Sequence, residues 1–210
     1  MRVRTEARRR AILDAARSVF EEQGFDRATM AQISERLGGS KTTLYSYFPT
    51  KEDLFVACVQ EDIATDTDVM IDAVRSTPDL HKALERFGKL YIAKVTSPRP
   101  IANYRMVAGM PAESGIGGQF YEQGLRRGWL KLCAYFDELI AAGRLRRADS
   151  WVMAMHLKGM FEAEYIDMRL LNAGPEPDPA TIARRARYAA EAFVRAYAAE
   201  VDSKAVRAPA

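Results

Sequence analysis

Apolar residues recur along this chain at intervals of three and four, the period of one helical face, and the pattern predicts helices from end to end. Residues 6–23 place Ile12, Ala16, Val19 and Phe20 on one face with Leu13 beside them. Gly24 closes that helix, because a glycine takes the left-handed conformation that satisfies the last carbonyls, and Phe25 follows as a core plug. A second helix opens at Thr29, whose hydroxyl caps a free backbone N–H while Gln32, three residues on, reaches back in a capping box. Its buried stripe is Met30, Ile33 and Leu37. Gly38 and Gly39 then make a turn, and Ser40 caps a third helix that runs to Tyr47. This helix has only Leu44, assisted by Phe48, to bury. Two turns with so little apolar surface do not stand alone, so the element must be held from one side and used from the other.

Pro49 ends the third helix, and Thr50 with Asp53 caps a fourth over 51–75, which carries Leu54, Phe55, Cys58, Val59, Ile63, Val69, Met70 and Val74. After Thr77 and Pro78, residues 79–96 set Leu80, Leu84, Phe87, Tyr91 and Val95 on one face. Pro98 and Pro100 are expected to break the chain before a shorter helix at 101–110, and PAESGIGGQ over 111–119 reads as a glycine-rich loop. A helix over 119–142 ends at Gly143. The stretch 149–173, opened by Asp149, is expected to form one continuous helix whose first half is apolar nearly all round, which implies cover on more than one side. The last helix, 179–199, aligns Ile182, Ala186, Ala189, Ala190, Phe193 and Tyr197. No strand pattern interrupts the series. The expected fold is all-α: a three-helix helix-turn-helix domain over 1–51, a second helical domain over 52–200 and a flexible tail at 201–210.

With 48% hydrophobic and 28% charged residues, the 210-residue chain has a globular composition, so disorder is expected only at its ends. No apolar run approaches the roughly 20 residues of a membrane span, and the Arg-rich start lacks the apolar segment of a signal peptide; a cytoplasmic protein without a membrane partner is expected. Cys58 and Cys133 are too few for a disulfide framework, and His81 and His156 make no metal-binding spacing. With no phosphate-cradling glycine loop and no nucleophile elbow, neither a cofactor nor an enzyme is expected. The charge is uneven: residues 1–51 hold ten Lys and Arg against six Asp and Glu, a net +4, whereas the remainder carries −1. A basic face at that end suits a polyanion.

Three segments, AILDAARSVFEEQGF, ATMAQISERLG and SKTTLYSYFPTKEDLF, stand in that basic region, with TLY followed by an aromatic pair and a charged helix start. Through them the first 60 residues resemble the N-terminal domain of TetR-family transcriptional regulators. FYEQGLRRGWLKLCAYF and GRLRRAD resemble the C-terminal domain of the AefR-like branch. Gly39 departs from the pattern, since the family generally has an apolar residue before the capping Ser. The resemblance implies a homodimer on a near-palindromic double-stranded DNA operator, most often in this family a repressor that a small-molecule effector releases. An activator, a co-repressor-dependent regulator and a small-molecule-binding protein without DNA binding are the alternatives.

A recognition helix meets base edges with its N-terminal residues, and the helix before it crosses the backbone. That docking assigns Lys41, Thr42 and Thr43 to bases, beginning at Ser40; Tyr45 and Tyr47 to phosphates or bases; and Thr29 and Lys51 to phosphates. Arg8, Arg9 and Arg10 either extend the phosphate contacts or form a solvated helix start. In the second domain the resemblance implies an effector pocket, for which Phe87, Tyr91, Tyr104, Phe120, Trp129, Met155 and Met160 are the candidate lining. His156 and Glu162, in apolar surroundings, are the candidates for orienting a polar ligand group. Plain core packing is the alternative for each of them. Dimerisation is expected through 149–173 and 179–199.

Overall fold

The computed structural model describes residues 5–199; the Arg-rich start before Thr5 and the tail expected at 201–210 lie outside them. α1 (Glu6–Gln23) starts on Thr5, whose side chain accepts from the Arg8 N–H, and ends where the Gly24 N–H reaches the Phe20 carbonyl. α2 (Met30–Leu37) opens with the capping box of Thr29 and Gln32 and closes on Gly38, which is left-handed at φ 65°. α3 (Lys41–Tyr47) is followed at once by α4 (Lys51–Arg75), capped by Thr50, which accepts the Asp53 N–H at 3.0 Å. Then come α5 (Leu80–Thr96), α6 (Pro98–Ala108), α7 (Ile116–Phe120) and, after one wide turn at Tyr121–Leu125, α8 (Arg126–Ala141). α9 (Ser150–Glu162), α10 (Tyr165–Leu170) and α11 (Pro179–Tyr197) complete the described chain. Its sole extended pairing is a bridge between Leu145 and Ala198.

Four local expectations are corrected. The break at the prolines is present, since α5 ends at Thr96, but the next helix begins at Pro98 rather than 101: Pro98 and Pro100 both lie in the first turn of α6, where a missing N–H leaves no bond unmade. The glycine-rich stretch is only partly loop, because the burial of Ile116 and Phe120 draws Gly117 and Gly118 into α7. Ser40 stands at the start of α3 but makes no side-chain capping bond. The long helix over 149–173 is split at Ala163 and Glu164, the latter at φ 74°, into α9 and α10. A partner distant in sequence stands at that break: Arg185 pairs with Glu164 at 3.0 Å, while the far end of α10 is tied down by Arg105, which donates to the Leu170 carbonyl at 2.8 Å and to Asn172 at 2.7 Å.

Packing divides the chain into two compact units, one comprising residues up to Thr65 with Met106–Arg126, the other Asp66–Arg105 and the residues from Arg127 on. The functional boundary expected at 51/52 therefore lies inside the first unit, and α4 contributes its first half to one unit and its second half to the other. The core of the first unit is Ile12, Leu13, Val19, Ile33, Leu44, Leu54 and Cys58 with their neighbours. That of the second gathers Leu84, Phe87, Leu132, Phe136, Leu157, Phe161 and Phe193. Within it α5 and α11 approach closely at Gly88: a Cβ there would lie 2.5 Å from the Phe161 ring and 3.0 Å from the Ala186 Cβ.

Candidate nucleic-acid interface

Of the residues in α3, Leu44 is the one that is buried, at 0% exposure. Ser40, Lys41, Thr42, Tyr45 and Ser46 are exposed, and Thr43 and Tyr47 are half-buried. Lys41 and Tyr45 stand one turn apart, so the helix turns a polar strip outward while a single leucine seats it. The seat has a second component that the sequence reading missed. Ser34, in the middle of α2 and 3% exposed, donates its hydroxyl to the Gly39 carbonyl at 3.0 Å and thereby fixes the turn into α3. The signal that could have found it is its spacing, four after Met30 and three before Leu37, which places it on the buried stripe of α2.

Three of the residues assigned to DNA have structural partners here. The Thr29 hydroxyl accepts the Gln32 N–H at 3.3 Å and donates to the Gln32 side-chain oxygen at 2.9 Å, so its one hydrogen is already engaged. Lys51 donates its ammonium to the Phe25 carbonyl at 2.8 Å and lies 4.2 Å from the centroid of the Phe25 ring. Tyr47 accepts the Thr5 N–H at 2.8 Å. Among the three arginines at the start of α1, Arg9 lies 3.7 Å from Glu6 and 5.9 Å from the Phe48 ring, and Arg10 is exposed.

The start of α4 is bound firmly into the same unit. Phe20, Phe25 and Phe55 form a triangle of rings with centroids 5.1 to 5.8 Å apart. Arg17 of α1 pairs with Asp14 at 2.8 Å, with Asp62 of α4 at 3.0 Å, and with Glu61. Burial opposes the Arg17 charge, but the bond to Glu61 and the field of Asp62 outweigh it and raise its pKa.

In the second unit Phe87, Tyr91, Trp129 and Phe161 form a contiguous aromatic cluster, with Tyr91 stacked on Phe87 at 5.9 Å and edge-on to Trp129 at 5.1 Å. The Tyr91 hydroxyl donates to Glu162, which also receives Lys158. Burial first, and then the Glu162 carboxylate, push the Tyr91 phenol well above its ordinary pKa, so it stays a neutral donor. Met155 and Met160 pack at the edge of this core. Tyr104 belongs to the same unit, whereas Phe120 is buried in the first. His156 does not stand in apolar surroundings. The buried face of α9 is Met153, Ala154, Leu157 and Phe161, so His156 falls outside it, exposed, with its ring nitrogen bonded to the Tyr197 hydroxyl. A separate groove of about 350 Å³ runs between α4 and α5, lined by Asp66, Val69, Met70, Leu90, Ala93, Lys94 and Ser97, and includes none of the candidate effector residues.

Residues 12–58 match the family described as bacterial regulatory proteins, tetR family, and residues 82–199 match the AefR-like transcriptional repressor C-terminal domain. The chain belongs to the TetR family. In this TetR-family chain the two matches cover α1 to α3 with the start of α4, and most of the second unit. The HTH-type transcriptional repressor Rv1474c of Mycobacterium tuberculosis is 43% identical over 56 residues, 27% of this chain and 30% of that protein. The repressor AcnR of Corynebacterium diphtheriae is 37% identical over 65 residues, 31% of this chain and 34% of the relative. The activator FasR of Mycolicibacterium smegmatis is 34% identical over 90 residues, 41% of each. The chain thus spans 30 to 41% of the length of these curated relatives. A TetR-family regulator from Mesorhizobium loti superposes with a TM-score of 0.81 at 24% identity, over 94% of this chain and 100% of the other. The flavonoid-responsive regulator FrrA superposes at 0.67 with 24% identity over 94% and 100%. FadR from Bacillus subtilis, in complex with stearoyl-CoA, superposes at 0.64 with 16% identity over 88% and 97%. At such identities the likeness is one of fold.

Proposed function

We propose that the protein is a DNA-binding transcriptional repressor that leaves a near-palindromic operator when a small-molecule effector binds its second unit. The observation that carries the reading is α3, which buries Leu44 and turns Lys41, Thr42 and Tyr45 to solvent, in the same unit as the arginine-rich start of α1. A helix so seated is built to be read from outside. Two relatives, alike over 56 and 65 residues, are named as HTH-type repressors.

The protein acts as a homodimer through α9, α10 and α11. Val152 of α9, Leu171 after α10 and Tyr188 of α11 are 45%, 77% and 55% exposed, apolar side chains on these elements that a second copy would cover. A two-fold dimer carries two copies of α3, which calls for half-sites about 34 to 36 Å apart or modestly more. A cytoplasmic location accompanies this function; among the described residues no helix is long and apolar enough to cross a membrane.

The effector has an apolar body and a polar group, matched by the rings of Phe87, Tyr91 and Trp129 and by the Tyr91–Glu162–Lys158 chain of hydrogen bonds. FrrA is flavonoid-responsive and FadR was crystallised with stearoyl-CoA, ligands of that character on the same fold. The effector shifts α4, and a differential affinity of about 1 to 3 kcal/mol between two dispositions changes operator affinity about 5- to 150-fold. Selection of bound DNA from a random library is the test. It should enrich a near-palindrome, and a cognate ligand should release it; no enrichment would overturn the reading. FasR, named as an activator, supports the opposite sign of control on the same machinery. Deleting the gene separates the two: target transcripts rise for a repressor and fall for an activator.

A further inference from the structure

We propose that Arg8 is a contact to a DNA backbone phosphate, placed beside the recognition helix by two positioning residues, Gly39 and Tyr47. The inference rests on the DNA-binding function proposed above. At Gly39 a Cβ would overlap the Arg8 guanidinium, whereas the next nearest side chain, Leu37, would sit at an ordinary 3.6 Å. The guanidinium therefore fills space that any other residue type at position 39 would claim. Gly39 needs no left-handed backbone, since its φ lies outside that region, so room for Arg8 is what the missing side chain supplies there.

The backbone of Arg8 is fixed as well. Its N–H donates to the Thr5 side chain at 3.2 Å, and the Thr5 N–H donates to the Tyr47 hydroxyl at 2.8 Å. The first turn of α1 is thus docked on α3 at both ends, with Arg8 against the turn that precedes it and Thr5 on its last residue. Arg9, Arg17 and Arg36 all pair with carboxylates, but among the described residues none pairs with Arg8. A half-buried cation without an anion carries a desolvation cost that a bound phosphate offsets. A guanidinium is the side chain whose fork matches two phosphate oxygens. Lys41, exposed two residues beyond Gly39, lies on the reading face, so Arg8 supplies orientation rather than base selection.

The test measures operator affinity against salt for the full chain and for Arg8→Ala, Gly39→Ala, Arg10→Ala and the two pairs Arg8→Ala/Gly39→Ala and Arg10→Ala/Gly39→Ala, using the sequence obtained by selection. Arg8→Ala should reduce the slope of log affinity on log salt by about 0.9, one phosphate, with the loss equal on all operator variants. Gly39→Ala should give the same change, since its methyl displaces the guanidinium, while its thermal midpoint stays near that of the parent. The pair should lose no more than either alone, whereas Arg10→Ala with Gly39→Ala should lose additively. An unchanged slope in Arg8→Ala, or full additivity of Arg8→Ala with Gly39→Ala, would overturn the assignment. A parent protein without salt-sensitive binding would instead remove the DNA-binding function itself, and this inference with it.

Discussion

Thr29, Lys41 and Lys51 show how differently single residues can be read from sequence. The Thr29–Gln32 capping box is local, joins residues three positions apart and was fully legible, because both partners sit on one turn. Its removal by Thr29→Ala should cost about 1 kcal/mol in urea unfolding. Lys51 was not legible: the carbonyls that engage it, at Phe25 and Asp26, lie 26 and 25 residues away. Lys41 and Thr42 keep their side chains exposed, so Lys41→Ala should change the preferred base at one operator position by about 1 to 3 kcal/mol. Tyr45→Phe should instead weaken binding evenly on all variants. Library selection with each variant distinguishes the two patterns, and an even loss for both would remove the division between base and phosphate contacts.

At the scale of elements, periodicity located the helices well, because burying one stripe of a helix leaves a trace every three or four residues. It failed where a distant side chain decides the backbone. The Glu164 break is such a place, where Arg185 pairs in from another helix. Since φ 74° strains any residue with a Cβ, Glu164→Gly should raise stability by up to about 1 kcal/mol, despite the loss of an exposed ion pair. A lower thermal midpoint would show that the Arg185 pair outweighs the strain. Ser34→Ala leaves the Gly39 carbonyl without its hydroxyl and should cost about 1 to 3 kcal/mol. It should also reduce DNA affinity more than its stability loss explains, because α3 loses its seat. Gly88→Ala crowds the Phe161 ring and should destabilise by about 1 to 3 kcal/mol in denaturant titration.

For the whole molecule, acid stability follows from surface pairs. The Arg36 guanidinium, and after it the Ser18 hydroxyl, hold the Glu22 carboxyl at about 2 against an ordinary 4.5. A carboxylate depressed in the folded state stabilises above its unfolded pKa and loses that contribution as pH falls through the folded value. Glu22→Gln should therefore flatten the decline of stability from the ordinary 4.5 down to about 2. The effect is small because the pair is exposed; unchanged acid unfolding profiles would mean that it is absent in solution. Glu138, bonded by Arg75, is lowered in the same direction. At the opposite end, burial pushes the Cys133 thiol up to about 11, so it should resist alkylation by iodoacetamide at neutral pH in the folded protein.

By itself the sequence determined the all-helical fold, the capping of α2 and α4, the turn at Gly38 and the family, since each depends on residues within a few positions of one another or on a contiguous motif. Beyond those caps, tertiary structure alone decided which polar groups are engaged. It turned Tyr47 and Lys51 onto the backbone of other segments, moved His156 off the buried face of α9, and laid Arg8 in the space beside Gly39. The physical reason is range. Hydrophobic burial repeats along a helix and is written into its period, whereas a hydrogen bond or an ion pair is made by two groups that only the packed chain brings together.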